Sequence, residues 1–398
     1  MTLPPLRLKK NEDRRLRAGH LWVFSNEVDT AKTPLTAFEA GHKIEIQDYR
    51  GEVIGNGYVN PHSLICARLV SRDPERVLNK SLLVHRLNMA LSLREALFDK
   101  PYYRLAFGDS DGLPGLVVDR FGDVLVAQIT TAGMERCKDE IVAALDQVIK
   151  PSCIVLRNDT SSRAMEGLDS YVETVLGTAP ETVTLEENGV QFVAPLLAGQ
   201  KTGWFYDHRL NRARMQQYVR GKRVLDVFSY IGGWGVQAAA AGASEVTCVD
   251  SSEAALAAAQ HNAALNGAAE RVKGMHGDAF EVLKALRAER EKFDVVILDP
   301  PAFIKRKKDM RAGLEAYQRI NQQAMQVLGK DGIIISASCS FHLPRPALMD
   351  AMLRASRHID RNLQIIEQGH QGPDHPVHPA IPETNYLKMF IGRVLPSA

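Results

Sequence analysis

Cysteine is sparse and scattered in this chain. Cys66, Cys137, Cys153, Cys248 and Cys339 are odd in number, and none sits in a CxxC or Cys/His ligand spacing. That excludes a disulfide framework and a zinc knuckle, and it fits a reducing cytoplasm. Long apolar runs are missing too; none approaches the roughly 20 residues that a bilayer span requires. The opening MTLPPLRLKKNEDRR is charged with no apolar stretch behind it, so neither a secretory signal nor a membrane partner is expected. Excess charge of one sign is nearly absent: 49 Lys and Arg against 47 Asp and Glu leave +2, too little by itself to mark a nucleic-acid binder. There is no internal repeat or low-complexity tract. What is present is 398 residues, 45% hydrophobic and 24% charged, enough for two or three domains whose cores need no metal or disulfide.

Three zones follow one another. Over residues 1–75, short alternating runs broken by Gly51, Gly55 and Gly57 predict a small all-β module. Residues 76–185 combine a helix over SLLVHRLNMALSLREAL, a hairpin turning at Phe121-Gly122-Asp123, a helix over GMERCKDEIVAALDQVI and the strand CIVLR, giving a small α+β unit. The third zone, 186–398, opens with a hairpin at Asn188-Gly189. From about residue 220, RVLDVFS, EVTCVD, VKGMHGD, FDVVILDPP and DGIIISASC alternate with alanine-rich helical segments. Such alternation predicts an α/β, Rossmann-like parallel sheet with right-handed crossovers. LQIIEQG and YLKMFIGRVL lie close enough to pair antiparallel at one edge.

In such a sheet ligands bind at the carboxyl ends of the strands. The first strand runs into DVFSYIGGWG, where Gly232, Gly233 and Gly235 permit a tight turn and close backbone approach, with Ser229 beside them. The spacing is not GxGxxG, and Asp226 at the start of the turn would repel a pyrophosphate while suiting the ammonium of a methionine moiety. Asp250, followed by Ser251, is expected to accept from ribose hydroxyls. Asp278, followed by Ala279, is expected to accept from an adenine amino group. Together these favour S-adenosylmethionine over a dinucleotide, against the plainer reading of capping aspartates and helix–strand packing glycines.

The fourth strand ends Asp299-Pro300-Pro301, setting a carboxylate and a rigid turn beside the cofactor. Asp299 is suited to hydrogen-bond the Watson–Crick edge of a flipped base, with Phe303 stacking on it. Lys305, Arg306, Lys307 and Lys308 follow, where phosphates would arrive. The fifth strand ends at Cys339 among small hydroxyl residues. A cysteine there is either inert core or the thiolate that adds to carbon 6 of a pyrimidine and makes carbon 5 nucleophilic.

On GHLWVFSNEV, GQKTGWFYDHRLNR, DVFSYIGGWG, DPPAF and SCSFH, the whole chain resembles the bacterial large-subunit 23S rRNA cytosine-C5 methyltransferases, type I family. The resemblance implies an N-terminal PUA domain, a small central α+β domain and a C-terminal class I methyltransferase domain. It implies 5-methylcytosine formation in 23S rRNA, unassembled or partly assembled, with Cys339 attacking carbon 6 and Asp299 holding or protonating N3. It also implies that Lys201, on the substrate side, and Phe205, Asp207 and Arg209, on the cofactor side, line the pocket. Many other RNA cytosine-C5 methyltransferases carry a second cysteine after strand four. Here Pro301 occupies that region, so the base for the C5 proton is unassigned.

In a PUA-like module Lys9, Lys10, Arg14 and Arg15, beside Arg7 and Trp22, suit phosphate contact, while Trp22 also reads as core. His370, His375 and His378 near Asp374 have spacing that fits no zinc pattern, and no metal is expected. The residues do not decide between a monomer and a homodimer. Two other functions compete: an exocyclic-amine methyltransferase using Asp299-Pro300-Pro301 with Cys339 a spectator, and a non-catalytic RNA-binding protein.

Overall fold

The structure, a computed structural model that describes residues 3–397, divides into two compact units, where three zones are expected from the sequence. The first unit contains the chain through Val183, together with Pro195–Tyr206 and Pro373–Thr384. The second contains Thr184–Ala194, Asp207–Gly372 and the chain from Asn385.

The first unit holds two five-stranded sheets. β1 (Pro5–Arg7), β2 (Trp22–Phe24), β3 (His42–Gln47), β4 (Val53–Val59) and β5 (Ile65–Ser71) form a sheet of order β1-β3-β4-β5-β2. Its inward face buries Leu6, Leu8, Ile44, Ile46, Val59 and Leu69, as alternation along the strands requires. The second sheet, of order β10-β9-β8-β7-β6, comprises β6 (Tyr102–Phe107), β7 (Leu116–Phe121), β8 (Val124–Ile129), β9 (Cys153–Asn158) and β10 (Tyr171–Leu176). β8 and β9 run parallel, as the helical crossover between them allows. That crossover is two helices, Ala132–Arg136 and Lys138–Ile149, parted at Cys137 where one continuous helix was expected. The helix Lys80–Leu97 starts where Asn79 accepts from Leu82 N at 3.0 Å.

Tyr58 is buried where the two sheets of this unit meet. Its hydroxyl lies 2.8 Å from the Pro114 carbonyl and 2.9 Å from Thr131 Oγ1, so its burial leaves no polar atom unpaired. The ring lies directly against Gly133, where an added Cβ would come within 2.1 Å of the ring.

β11 (Thr182–Glu187) and β12 (Val190–Pro195) form the expected hairpin. Asn188 (φ 54°) and Gly189 (φ 78°) are both left-handed, as a two-residue turn matched to strand twist demands.

The second unit is built on seven strands: β13 (Arg223–Val227), β14 (Glu245–Asp250), β15 (Val272–His276), β16 (Phe293–Leu298), β17 (Leu328–Ser338), β18 (Arg361–Gly369) and β19 (Lys388–Pro396). Their order is β15-β14-β13-β16-β17-β19-β18. β13 to β17 are parallel, and the inner strands bury nearly every residue because helices cover both faces. The strand that runs against them is β19, inserted between β17 and β18 rather than at the rim. The order reverses between β13 and β16, creating a switch-point crevice at their carboxyl ends. Among the described residues no helix is long and apolar enough to cross a membrane.

Gly133→Ala should destabilise the first unit by about 1–3 kcal/mol through overpacking against Tyr58. Urea unfolding followed by tyrosine fluorescence checks this, and an unchanged midpoint would show that the contact is not tight.

Candidate cofactor and catalytic site

The loop after β13 is held in an unfavourable backbone conformation. Phe228 (φ 67°) and Tyr230 (φ 48°) are both left-handed, a region bulky residues avoid, and Gly232 (φ 85°) follows. Backbone bonds hold it there: Phe228 N and Ser229 N both donate to the Val249 carbonyl at 3.0 Å. Asp250, at the end of β14, accepts from Tyr230 N (2.8 Å) through Oδ2 and from Ser252 N (2.9 Å) through Oδ1. Its half-buried carboxylate thus borders the loop and has lone pairs to spare. Ser251 beside it is exposed.

Asp226 does not sit open at the turn as expected. It is fully buried beneath the loop, with Oδ2 accepting from Gly235 N at 2.8 Å and Oδ1 lacking a hydrogen-bond partner among the described residues. Burial pushes its carboxyl up to about 7, more than the Gly235 amide can offset. Two of the three glycines serve packing. A Cβ at Gly232 would meet Val236 at 2.7 Å and Ala259 at 3.0 Å, and one at Gly235 would meet Cys248 Sγ at 2.6 Å. Gly233 is buried in the same turn. Asp278 takes the capping reading: its Oδ1 accepts from Phe280 N (2.9 Å) and Glu281 N (3.2 Å) and starts the helix Ala279–Ala288, with Ala279 buried.

Across the switch point, β13 and β16 pair with Val227 opposite Leu298, which sets Asp299 beside this loop. His208 Nε2 lies 3.2 Å from Asp299 Oδ1, and Trp234 Nε1 donates to Oδ2 at 3.0 Å. The Asn211 amide nitrogen lies 3.0 Å from His208 Nδ1, which leaves Nε2 to carry the proton toward Asp299. Burial works against charge on both partners, but the pairing outweighs it: Asp299 is held below the usual carboxylate range and His208 above the usual imidazole value. Asp299 is therefore an oriented, ionised acceptor. His208 and Trp234 were not singled out from the sequence, since their value arises only from this contact.

β17 lies next to β16, Ser336 opposite Leu298, so Cys339 follows at the same sheet edge. It is half-buried, whereas the other four cysteines are buried. A hydroxyl network fixes its turn: Ser338 Oγ donates to Tyr317 OH (2.8 Å), Tyr317 OH contacts Ser340 Oγ (2.8 Å), and Ser340 Oγ accepts from Ile304 N (3.3 Å). The turn carrying Cys339 is thereby tied to the loop after Asp299-Pro300-Pro301, in which Pro300 is buried and Pro301 exposed.

Of the other residues expected at the cofactor or the RNA, some have partners within the protein and some are exposed. Phe303 is half-buried and packs against Phe228, Phe280 and Tyr317, the last at 4.8 Å between ring centroids, so part of its ring is committed to the edge of the core. Arg209 is buried and pairs with Glu187, which also binds Arg212 at 2.5 Å. Asp207 accepts from the Tyr386 hydroxyl at 2.6 Å. Lys201 and Phe205 belong to the first unit, the lysine over the ring at 4.9 Å. In the β1–β5 module, Arg15 is neutralised by Glu27 at 2.7 Å and Lys9 donates to the Asn26 carbonyl, while Lys10 and Arg14 are exposed. Trp22 is half-buried and donates to Asp109 at 3.0 Å. Lys305, Arg306, Lys307 and Lys308 are all exposed. Asp374 and His375 are buried in the first unit, 3.0 Å from each other.

An acid whose proton affinity rises on folding favours the native state at low pH, and that contribution is lost as pH rises through the folded value. Asp226→Asn should therefore gain stability relative to wild type between pH 4 and pH 7 and level off above. The plateau should be on the order of 4 kcal/mol at most. Denaturant titrations of the cofactor-free proteins check this, and a pH-independent difference would show that Asp226 ionises normally.

Residues 160–387 match the family model of S-adenosylmethionine-dependent methyltransferases, and residues 6–72 match that of PUA-like domains. The chain is 37% identical to ribosomal RNA large subunit methyltransferase I of Aliivibrio fischeri strain MJ11, over 98% of both chains. It is 36% identical to the protein of the same name from Shigella boydii serotype 18, again over 98% of both. Among solved structures, a candidate methyltransferase complexed with SAH superposes with a TM-score of 0.84 at 21% identity, over 98% of this chain and 100% of the other. A candidate SAM-dependent methyltransferase from Streptococcus mutans gives 0.82 at 22%, with the same coverage. A strained loop and a half-buried aspartate at the switch point of a parallel sheet, a PUA-like module and full-length likeness to these enzymes lead to one assignment: the chain belongs to the ribosomal RNA large subunit methyltransferase I family, whose cofactor is S-adenosylmethionine.

Proposed function

We propose that this protein methylates carbon 5 of a cytosine in large-subunit 23S ribosomal RNA through a covalent adduct on Cys339. The observation that carries the reading is Cys339 itself: the one non-buried cysteine among the described residues, at the carboxyl end of β17, on the strand next to the one that ends in the oriented carboxylate of Asp299. The donor set suits the cofactor. Asp250 offers acceptor capacity beside the loop, and the orphaned Oδ1 of Asp226 is a buried acceptor below it. S-adenosylmethionine, when bound, supplies an electrophilic methyl group on a sulfonium.

The thiolate of Cys339 adds to cytosine C6, forming the S–C6 bond and moving the C5–C6 π pair toward C5. Asp299 accepts a hydrogen bond from the N4 amino group of the base and so holds the ring against the thiolate while the negative charge of the adduct rests on C5 and the ring; its two N–H partners keep it an acceptor. The activated C5 takes the methyl. Loss of the C5 proton to a base then restores the C5–C6 double bond and breaks S–C6, returning the electron pair to Cys339. The exposed run from Lys305 to Lys308 supports phosphate contact near the site, and Lys10 and Arg14 support a second RNA contact through the PUA-like module.

Incubation with S-adenosylmethionine and large-subunit rRNA containing 5-fluorocytosine should give a denaturant-stable protein–RNA band, because fluorine blocks the elimination. Cys339→Ala should lose both the band and methyl transfer to ordinary rRNA. Methyl transfer undiminished in that variant would instead assign the target to an exocyclic amine.

A further inference from the structure

β19 sets Lys388 opposite Ser338, one residue before Cys339. The lysine is 5% exposed, an unusual place for an ammonium. Its Nζ donates to the carbonyls of Ser340 at 2.5 Å and Leu343 at 2.8 Å, so two of its three N–H bonds grip the turn that follows Cys339. Among the described residues no carboxylate pairs with it. The charged and titratable groups that face it are Arg345, at the start of the helix Arg345–Arg357, which works against its charge, and Cys339, which favours it. Tyr317, from the helix Met310–Gln326, faces Cys339 from the other side through a neutral hydroxyl committed to Ser338 and Ser340. A buried cation without a carboxylate is costly unless some other anion meets it. Among the described residues, the group that acts on it as a potential anion is the sulfur of Cys339.

We propose that Lys388 is a positioning residue that holds Cys339 as the thiolate and fixes the turn that aims it. The thiol proton leaves to water while the site is open, and the ammonium compensates the sulfur charge until the S–C6 bond forms. When the adduct breaks, the same cation receives the charge that returns to sulfur. Burial pulls Lys388 down to about 8, so the lysine is protonated at neutral pH and loses its charge in mildly alkaline solution. The inference rests on the reading of Cys339 as nucleophile, but its test does not.

The test is iodoacetamide alkylation of the native protein as a function of pH, with Cys339→Ala as the blank, since the other four cysteines are buried. Lys388→Gln should alkylate at least about tenfold more slowly at pH 7 and match wild type near pH 10, where the thiol ionises unaided. Lys388→Arg, which keeps charge and donors, should stay close to wild type at pH 7. Three results would overturn the proposal: an unshifted profile in Lys388→Gln, a slowing that persists at pH 10 while S-adenosylmethionine still binds calorimetrically, or a Lys388→Arg profile identical to that of Lys388→Gln. If the shift is found but Cys339→Ala still methylates rRNA, the thiolate pairing stands and the nucleophile reading falls.

Discussion

Every group of the candidate site depends on the parallel pairing of β13 with β16, Val227 opposite Leu298. Parallel strands need crossovers, and crossovers bury both faces of the sheet, so the only polar ground left is at the strand ends. The order reverses between these two strands. The loop carrying Phe228 and Tyr230 and the turn carrying Asp299 therefore open side by side, with no helix directly between them. A slip of β16 by one residue would reverse the faces of its side chains and turn Asp299 away from the loop after β13.

Around this crevice the protein sets ionisable groups in poor solvent and controls each by a specific neighbour. Asp299 is kept ionised by His208 and Trp234 although burial opposes it. Asp226 is driven the other way, because burial outweighs the Gly235 amide and the charge of Arg212. The two carboxylates have the same chemistry and sit at adjacent strand ends; their different burial and different partners shift their proton affinities in opposite directions. Lys388 extends the logic to β19, where it replaces a carboxylate partner with two backbone carbonyls and a cysteine.

The same partner logic explains why several sequence expectations shifted. An aspartate between a strand and a helix is the best available N-cap, and Asp278 is used so. Phe303 follows the Asp299 turn but packs against Phe228, Phe280 and Tyr317, three rings that half-bury it. Arg15 and Arg209 carried charge that looked available for phosphate or cofactor. Glu27 and Glu187, distant in sequence, take it up.

Whatever depends on local pattern and local chemistry is legible in the residue order alone. The alternation of strands and helices, the hairpin at Asn188-Gly189, the acidic strand ends and the position of Cys339 at the close of β17 are all readable, because periodicity and turn residues act over a few positions. Which side chains are available is settled by contacts between residues far apart along the chain. Whether an aspartate caps, ionises or stays protonated depends on groups up to 91 residues away, as with His208 and Asp299. Whether β19 lies at the edge or inside it depends on which strand β17 accepts. A cation such as Lys388 reads as a surface residue in any linear pattern; only folding strips its water and seats it on the carbonyls of the turn that follows Cys339.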